Sequence, residues 1–255
     1  SKALEATIGR RGFQRSRAGT ALTTEGLRFE PHARSLRHSW VTALNATRDG
    51  GMAGVTMRIC LQHDLVGLEI NRFICAFRNA LPDTVFLFEA DYSTQMCADL
   101  VTGTQDIAVL YSPQTHPDLH FEALGEVSYV MVASKPMTLG QLPADEYILA
   151  NYSPSFAHAH AALLPELTNV SLSIGQNAAM VDLLTSLSGA GYVLRHSADA
   201  LIAAGQGHLV KQAPVIAQTV FAGVNARNRH RAAYRKMQRV LLDQYANIKT
   251  AKVRP

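Results

Sequence analysis

Between Thr24 and about Thr47, apolar or small side chains recur at Phe29, Ala33, Leu36, Trp40, Ala43 and Thr47, in steps of 4, 3, 4, 3 and 4. That spacing predicts one long helix with a coiled-coil-like seam. Pro31 falls inside it and should remove a hydrogen bond and bend the first turns. Arg28, Arg34 and Arg37 keep the opposite side wet, so the seam is expected to meet a partner helix rather than its own domain. Ahead of it, residues 1–9 read as the end of a helix stopped by Gly9, and residues 10–22 (RRGFQRSRAGTAL) as a tight hairpin or wing.

Gly50, Gly51 and Gly54 mark a hinge or linker, after which the rhythm changes. Residues 56–61 alternate as a strand, 65–80 form an amphipathic helix closed before Pro82, 84–90 a strand, 94–101 a helix and 106–111 a strand. Such alternation predicts a parallel α/β sheet. A second block follows, with strands at 127–133, 147–150, 170–174 and 192–194 and a helix at 178–187. Residues 218–224 read as a returning strand and 228–246 as a long terminal helix. The expected architecture is two Rossmann-like α/β lobes behind a helical head.

Composition narrows the class. The 255 residues are 47% hydrophobic and 17% charged, a globular balance rather than a disordered one. Cys60, Cys75 and Cys97 have neither the spacing of a zinc or redox motif nor the even number of a disulfide framework. No apolar run reaches the roughly 18 residues of a membrane span, and no signal peptide opens the chain. A cytoplasmic globular protein is the expectation.

Charge is partitioned. Residues 1–50 hold nine Lys/Arg against four Asp/Glu, residues 51–226 six against fifteen, and residues 227–255 nine against one. A basic head on an acidic body points to nucleic acid at the head, since phosphate attraction needs clustered cations, while a solvated Arg-rich helix face would look the same. The basic tail reads as a surface helix, because its apolar positions repeat helically.

Four stretches together resemble the LysR-type transcriptional regulators. Leu4-Glu5-x-x-Ile8-Gly9-x-x-x-Phe13-x-Arg15 is similar to the end of that family's recognition helix and the start of its wing. Leu22-Thr23-Thr24-Glu25-Gly26 and Pro31-His32-Ala33-Arg34 resemble its linker helix. Leu100-x-x-Gly103-x-x-Asp106-Ile107-Ala108-Val109 resembles the helix-turn-strand of its first effector-binding lobe, and Gly189-x-Gly191 the second lobe. Arg195-His196 depart from the family, which usually has an apolar residue and proline there.

The resemblance implies a periplasmic-binding-protein-like effector domain behind a partial winged helix-turn-helix and a long linker helix. Its expected parts are a winged-helix remnant (1–23), a linker and dimerisation helix (24–50), lobe I (54–125 plus 224–248) and lobe II (126–223). Ser1 would fall inside the recognition helix, so the chain is expected to be a fragment lacking the base-reading half of its head and to bind DNA poorly and without sequence selectivity. Lys2, Arg10, Arg15 and Arg17 are the cations left to touch the DNA backbone, or to solvate the turns that carry them. Also implied are a homodimer or homotetramer, a small-molecule effector that shifts how the heads sit on DNA, and no membrane partner.

In open α/β sheets, ligands bind outside the carboxyl ends of the strands. The loops there carry Gln62, His63 and Asp64; Tyr92 and Ser93; Tyr152 and Ser153; Gln176 and Asn177; and Arg195. These are the candidate effector residues. The effector is expected to be a monocarboxylate or an aromatic compound, because a multiply charged anion would be repelled by the acidic body. Ser93 and Asn177 also fit plain helix caps, Gln62 a partner for a loop carbonyl, His63 an exposed loop residue, and Arg195 a partner for a neighbouring carboxylate. A stand-alone solute-binding module of the same two-lobe fold is the alternative reading. Catalysis has no carrier: Cys60 with His63 is the sole local nucleophile–base pairing, and Cys60 lies in a strand pattern typical of an inert thiol. His158-x-His160 lacks a third metal ligand, so neither metal nor cofactor is expected.

Overall fold

The computed structural model describes residues 2–16, 19–30, 32, 33, 36, 40 and 55–251. Helix α1 (Lys2–Ile8) ends at Gly9, whose φ of 69° lies in the left-handed region that a Cβ disfavours. Strands β1 (Phe13–Ser16) and β2 (Gly19–Leu22) then pair antiparallel as the expected hairpin. Helix α2 starts at residue 24 and is helical at every described position to residue 40. The Thr23 hydroxyl accepts the Gly26 N–H at 3.1 Å and donates to the Arg11 carbonyl at 2.6 Å, so one side chain both caps α2 and ties it to the hairpin. The bend at Pro31 and the hinge at Gly50, Gly51 and Gly54 lie outside the described residues.

Gly26 sits so close to the hairpin that a Cβ there would fall 2.1 Å from the Gly12 carbonyl oxygen. A backbone oxygen cannot step aside. Gly26→Ala should therefore cost about 1–3 kcal/mol by overpacking, seen as faster amide exchange in the hairpin; unchanged protection there would refute the contact.

The body is built on one curled nine-stranded sheet whose strands lie in the order 84–91, 55–62, 107–110, 216–225, 119–133, 190–194, 147–150 and 173–174, with 208–209 pairing 119–133. At one end, β3 (Val55–Gln62) lies parallel to β4 (Thr84–Asp91) and β5 (Ile107–Leu110). At the other, β7 (Tyr147–Ala150) lies parallel to β8 (Ser173–Ile174) and β9 (Ala190–Leu194). Two long strands, β6 (Leu119–Ala133) and β11 (Ile216–Asn225), run antiparallel through both ends, with a register shift between Val220 and Phe221. The short β10 (His208–Leu209) completes the sheet.

The sheet is thus mixed rather than parallel throughout. The expected strand at 127–133 begins eight residues earlier, because residues 119–126 pair with β11 although most of their side chains are only half-buried. The strand expected at 170–174 shrinks to Ser173–Ile174.

Helices α3 (His63–Ala80), α4 (Ser93–Thr102), α5 (Pro154–Leu163), α6 (Asn177–Ser186), α7 (Arg195–Ala203) and α8 (Ala232–Ala251) cover the sheet. Helix α3 buries Leu65, Phe73 and Phe77 on one face, leaves Cys75 and Arg78 exposed, and packs against α8. Helices α5 and α7 were not expected from the alternation of apolar residues. The terminal helix starts at Ala232 rather than 228, behind a run of turns. No described helix is long and apolar enough to cross a membrane.

Candidate functional site

The carboxyl ends of the two parallel strand sets face one another, and side chains from one reach the other. Gln62, at the end of β3, is 1% exposed; its Nε2 donates to the Tyr152 carbonyl at 3.0 Å, and its Oε1 accepts from Ser93 Oγ at 2.9 Å. The Ser93 hydroxyl also accepts the backbone N–H groups of Tyr111 and Ser112 at 3.3 and 3.1 Å. Ser93 is therefore not a helix cap: it is the first residue of α4, after the N-cap Tyr92, and its side chain holds the turn after β5. The reading of Gln62 as a partner for a loop carbonyl agrees with its bond to Tyr152.

Asp64, in the first turn of α3, is 5% exposed. Its Oδ1 accepts the Asn177 backbone N–H at 2.9 Å and its Oδ2 the Tyr129 hydroxyl at 2.7 Å, while the Tyr129 and Tyr111 hydroxyls lie 3.0 Å apart. Two helix N-termini, of α3 and α6, thus meet at one carboxylate, an arrangement that favours negative charge. Burial nevertheless dominates. With no cation paired to it among the described residues, the Asp64 carboxyl is pushed up to about 6, against the pull of its two hydrogen bonds.

Asn177 is also no cap. It is the first residue of α6 after Gln176, and its amide bridges to Leu194 N–H (2.8 Å) and Ser197 Oγ (2.9 Å), tying α6 to β9 and α7. Ser153 does cap its helix, accepting the Phe156 N–H at 3.1 Å and donating to Gln218 Oε1 at 3.0 Å. Tyr152 is fully buried, stacked on Tyr129 with ring centroids 4.8 Å apart and donating to the Tyr192 carbonyl. Gln62, Asp64, Ser93, Tyr152, Ser153 and Asn177 therefore form a buried floor, in which Gln62 bonds to Ser93 and Tyr152, and Asp64 to Asn177.

The remaining candidates form its rim. His63, half-buried, packs its ring 4.7 Å from that of the exposed Tyr92, whose hydroxyl donates to the Gly175 carbonyl at 3.3 Å across the gap. Gln176 is exposed, and Arg195, first residue of α7, is half-buried. Neither side chain has a hydrogen bond within the described residues, although the Gln176 carbonyl accepts the Met180 N–H, and Arg195 has no acidic partner there. Sequence reasoning missed three members. Ser112 and Ser155 bring their hydroxyls within 2.9 Å across the gap, and Gln218 on β11 accepts from both Ser153 and Ser155. Ser155 was readable as the last residue of the Asn-Tyr-Ser-Pro-Ser stretch at 151–155 that also carries Tyr152 and Ser153; Gln218 had no local signal, being 65 residues from Ser153.

Of the head's candidates, Arg10 is exposed in the turn after α1. Lys2 lies on α1 and Arg15 on β1, paired with Thr20; Arg17 lies outside the described residues. An apolar groove of about 380 Å³ runs between α1, the hairpin and α2, lined by Leu4, Ile8, Phe13, Leu22, Phe29 and Ala33.

The nucleophile–base pairing is undone by burial. Cys60 is fully buried and its thiol is pushed up to about 12, so it carries no thiolate at neutral pH. His160 is buried against Tyr147, 2.7 Å from its hydroxyl, whereas His158 is exposed.

Residues 50–246 match the protein family described as the LysR substrate binding domain. No curated protein sequence matches the chain. Solved structures share its fold. Full-length LysR-type LysG from Corynebacterium glutamicum, with effector Arg bound, is 15% identical, with 96% of this chain and 86% of that one covered and a TM-score of 0.59. DarR from Vibrio fischeri, in complex with DNA, is 16% identical over 95% and 86% of the two chains with a TM-score of 0.65. A full-length OxyR variant from Pseudomonas aeruginosa is 17% identical over 96% and 87%, with a TM-score of 0.60.

Proposed function

From the premise that this chain belongs to the LysR substrate-binding-domain family, we propose that it is a cytoplasmic transcriptional regulator. In this reading it binds DNA through its head and a small organic effector between the two halves of its body. The supporting observation is that both sets of strand carboxyl ends converge on one gap spanned by Gln62, Asp64, Tyr92 and Ser112 reaching Tyr152, Asn177, Gly175 and Ser155. The halves divide as residues 54–125 with 224–248, and 126–223. Their boundary falls in β6 and β11 near the register shift, where a bulged strand is easiest to bend.

The effector contacts the rim, His63, Tyr92, Gln176 and Arg195, and it opens or tightens the bridges of the floor. Because a ligand shifts an equilibrium only by its differential affinity, an effector that replaces the Tyr92–Gly175 and Ser112–Ser155 contacts acts directly on closure. A monocarboxylate suits Arg195, and an aromatic body suits the His63–Tyr92 ring pair. Arg10, with Lys2, Arg15 and Arg17, supplies DNA-backbone affinity. Dimerisation proceeds through α2, which exposes Leu27 (59%), Leu36 (66%) and Trp40 (64%), and a tetramer is the higher assembly. No catalytic step is assigned.

A thermal-shift screen with monocarboxylates, aromatic acids and neutral metabolites tests the cleft. A ligand at a hundredfold excess over its dissociation constant should stabilise the protein by about 2.7 kcal/mol. Gln176→Ala with Arg195→Ala should erase most of that shift without changing the unliganded melting point. A ligand whose effect survives the double variant binds elsewhere and overturns the reading.

A further inference from the structure

The tail's charge is concentrated in one short ordered segment. Residues 227–239 hold six arginines or lysines (Arg227, Arg229, Arg231, Arg235, Lys236 and Arg239) and no acidic residue, and each of the six is exposed. None has an ion pair among the described residues.

The segment is held firmly. Backbone turns bond Asn228 to Asn225, Arg231 to Asn228 and Arg235 to Arg231. Tyr234 inserts its hydroxyl onto Asp106, which is thereby engaged together with the Arg58 N–H. Along α8, Tyr234, Met237, Leu241 and Tyr245 are buried, which turns Arg235, Lys236 and Arg239 outward together. The acidic groups against the segment are Asp106, held by Tyr234; Asp118, 3.8 Å from the His116 ring, whose backbone carbonyl accepts the Ala226 N–H just ahead of the segment; and Asp243, a turn beyond Arg239.

We infer that this ordered cationic surface, remote in sequence from the head, is a second contact for the phosphate backbone of duplex DNA. A protein partner would call for apolar or aromatic anchors at the centre of the patch. Here the apolar residues are spent in the core, and what remains exposed is Arg, Lys, His and Ala. Interfaces of that composition, more positive and more polar than protein–protein ones, suit nucleic acid. Backbone contacts carry no sequence information, so the patch adds affinity for flanking DNA without choosing a site. The identity of the polyanion as DNA rests on the proposed function; the patch itself does not.

The test is fluorescence anisotropy of the full chain on a short duplex of arbitrary sequence, titrated with salt. It compares wild type with two variants: Arg229→Gln, Arg235→Gln, Arg239→Gln in the tail, and Arg10→Gln, Arg11→Gln in the head. Each lost phosphate contact removes roughly 0.9 from the slope of log affinity against log salt. The tail variant should lower that slope by about 2 to 3 and weaken binding at least tenfold at low salt. Arg→Lys at the same three positions should restore both, and an unchanged melting curve shows that folding is intact.

Wild-type affinity and slope in the tail variant overturn the inference. If the head variant alone loses binding, the proposed function stands and the second contact falls. Loss in the tail variant alone supports the second contact and counts against the head. A tail variant that keeps DNA but loses binding to polyglutamate means an acidic polypeptide is the partner, and the DNA assignment is withdrawn.

Discussion

Asp64→Asn should make the protein more stable at pH 8 and leave it nearly unchanged at pH 4. Burial raises this carboxyl from its ordinary 3.8 to about 6, so the folded state holds the proton more tightly than the unfolded chain does. The stability linked to that proton is fully present below about pH 4 and is lost as pH rises through about 6. The difference between the two pKa values corresponds to about 3 kcal/mol. The amide mimics the protonated acid: it still accepts the Asn177 N–H and carries no charge to bury. Lowering of the His160 pKa by burial acts in the opposite sense, removing stability as pH falls, but it is common to both proteins and cancels in the difference.

Urea unfolding of both proteins from pH 4 to 8 should show curves that part by about 3 kcal/mol, equivalent to roughly 6–12 °C in melting temperature for a chain of this size. Parallel curves would mean that Asp64 titrates normally. Because the carboxylate links α3 to α6, the same comparison measures what keeping a charge in the floor of the gap costs the protein.

Phe156→Ala should have the largest effect on stability, a loss of about 3–5 kcal/mol. Phe156 is fully buried on α5, edge-on to Tyr129 (5.0 Å), Tyr152 (5.1 Å) and Tyr192 (6.0 Å). Its removal leaves a cavity whose tyrosine walls are tied elsewhere by their hydroxyls, Tyr129 to Asp64 and Tyr152 to the Tyr192 carbonyl. They cannot collapse into the space without breaking those bonds. Phe156→Leu should recover more than half of the loss. A cost under about 1 kcal/mol for the alanine, far below the usual range for a buried phenylalanine, would show that the cluster repacks freely.

Legibility in the sequence followed period and punctuation. Strands β3, β4, β5 and β7 and helices α3, α4 and α6 fall within one or two residues of expectation at nearly every end, since their apolar positions repeat at 2 or 3.6 between Gly or Pro breaks. The hairpin and the Gly9 stop were readable from local turn chemistry. Helix α5 begins with Ser153 and Pro154, a start signal that the short polar stretch around it obscured. The loop positions Gln62, Asp64, Ser93, Tyr152, Ser153 and Asn177 were identified as a group, and Gln62 also as a partner for a loop carbonyl, but their particular partners were not legible.

What the sequence determined by itself was the order of most elements, the two-part α/β body, the partition of charge, and which loops follow the strand carboxyl ends. All of these follow from local periodicity and from the rule that ligands lie beyond strand carboxyl ends. What only the tertiary structure decided was who bonds to whom there. Gln62 meets Tyr152 across 90 residues and Asp64 meets Asn177 across 113. No local pattern encodes a pairing made by the closing of one half of a sheet on the other. The burial that raises the Asp64 pKa exists only once both halves are in place, and the outward ordering of the basic tail needs Tyr234 to meet Asp106 across 128 residues.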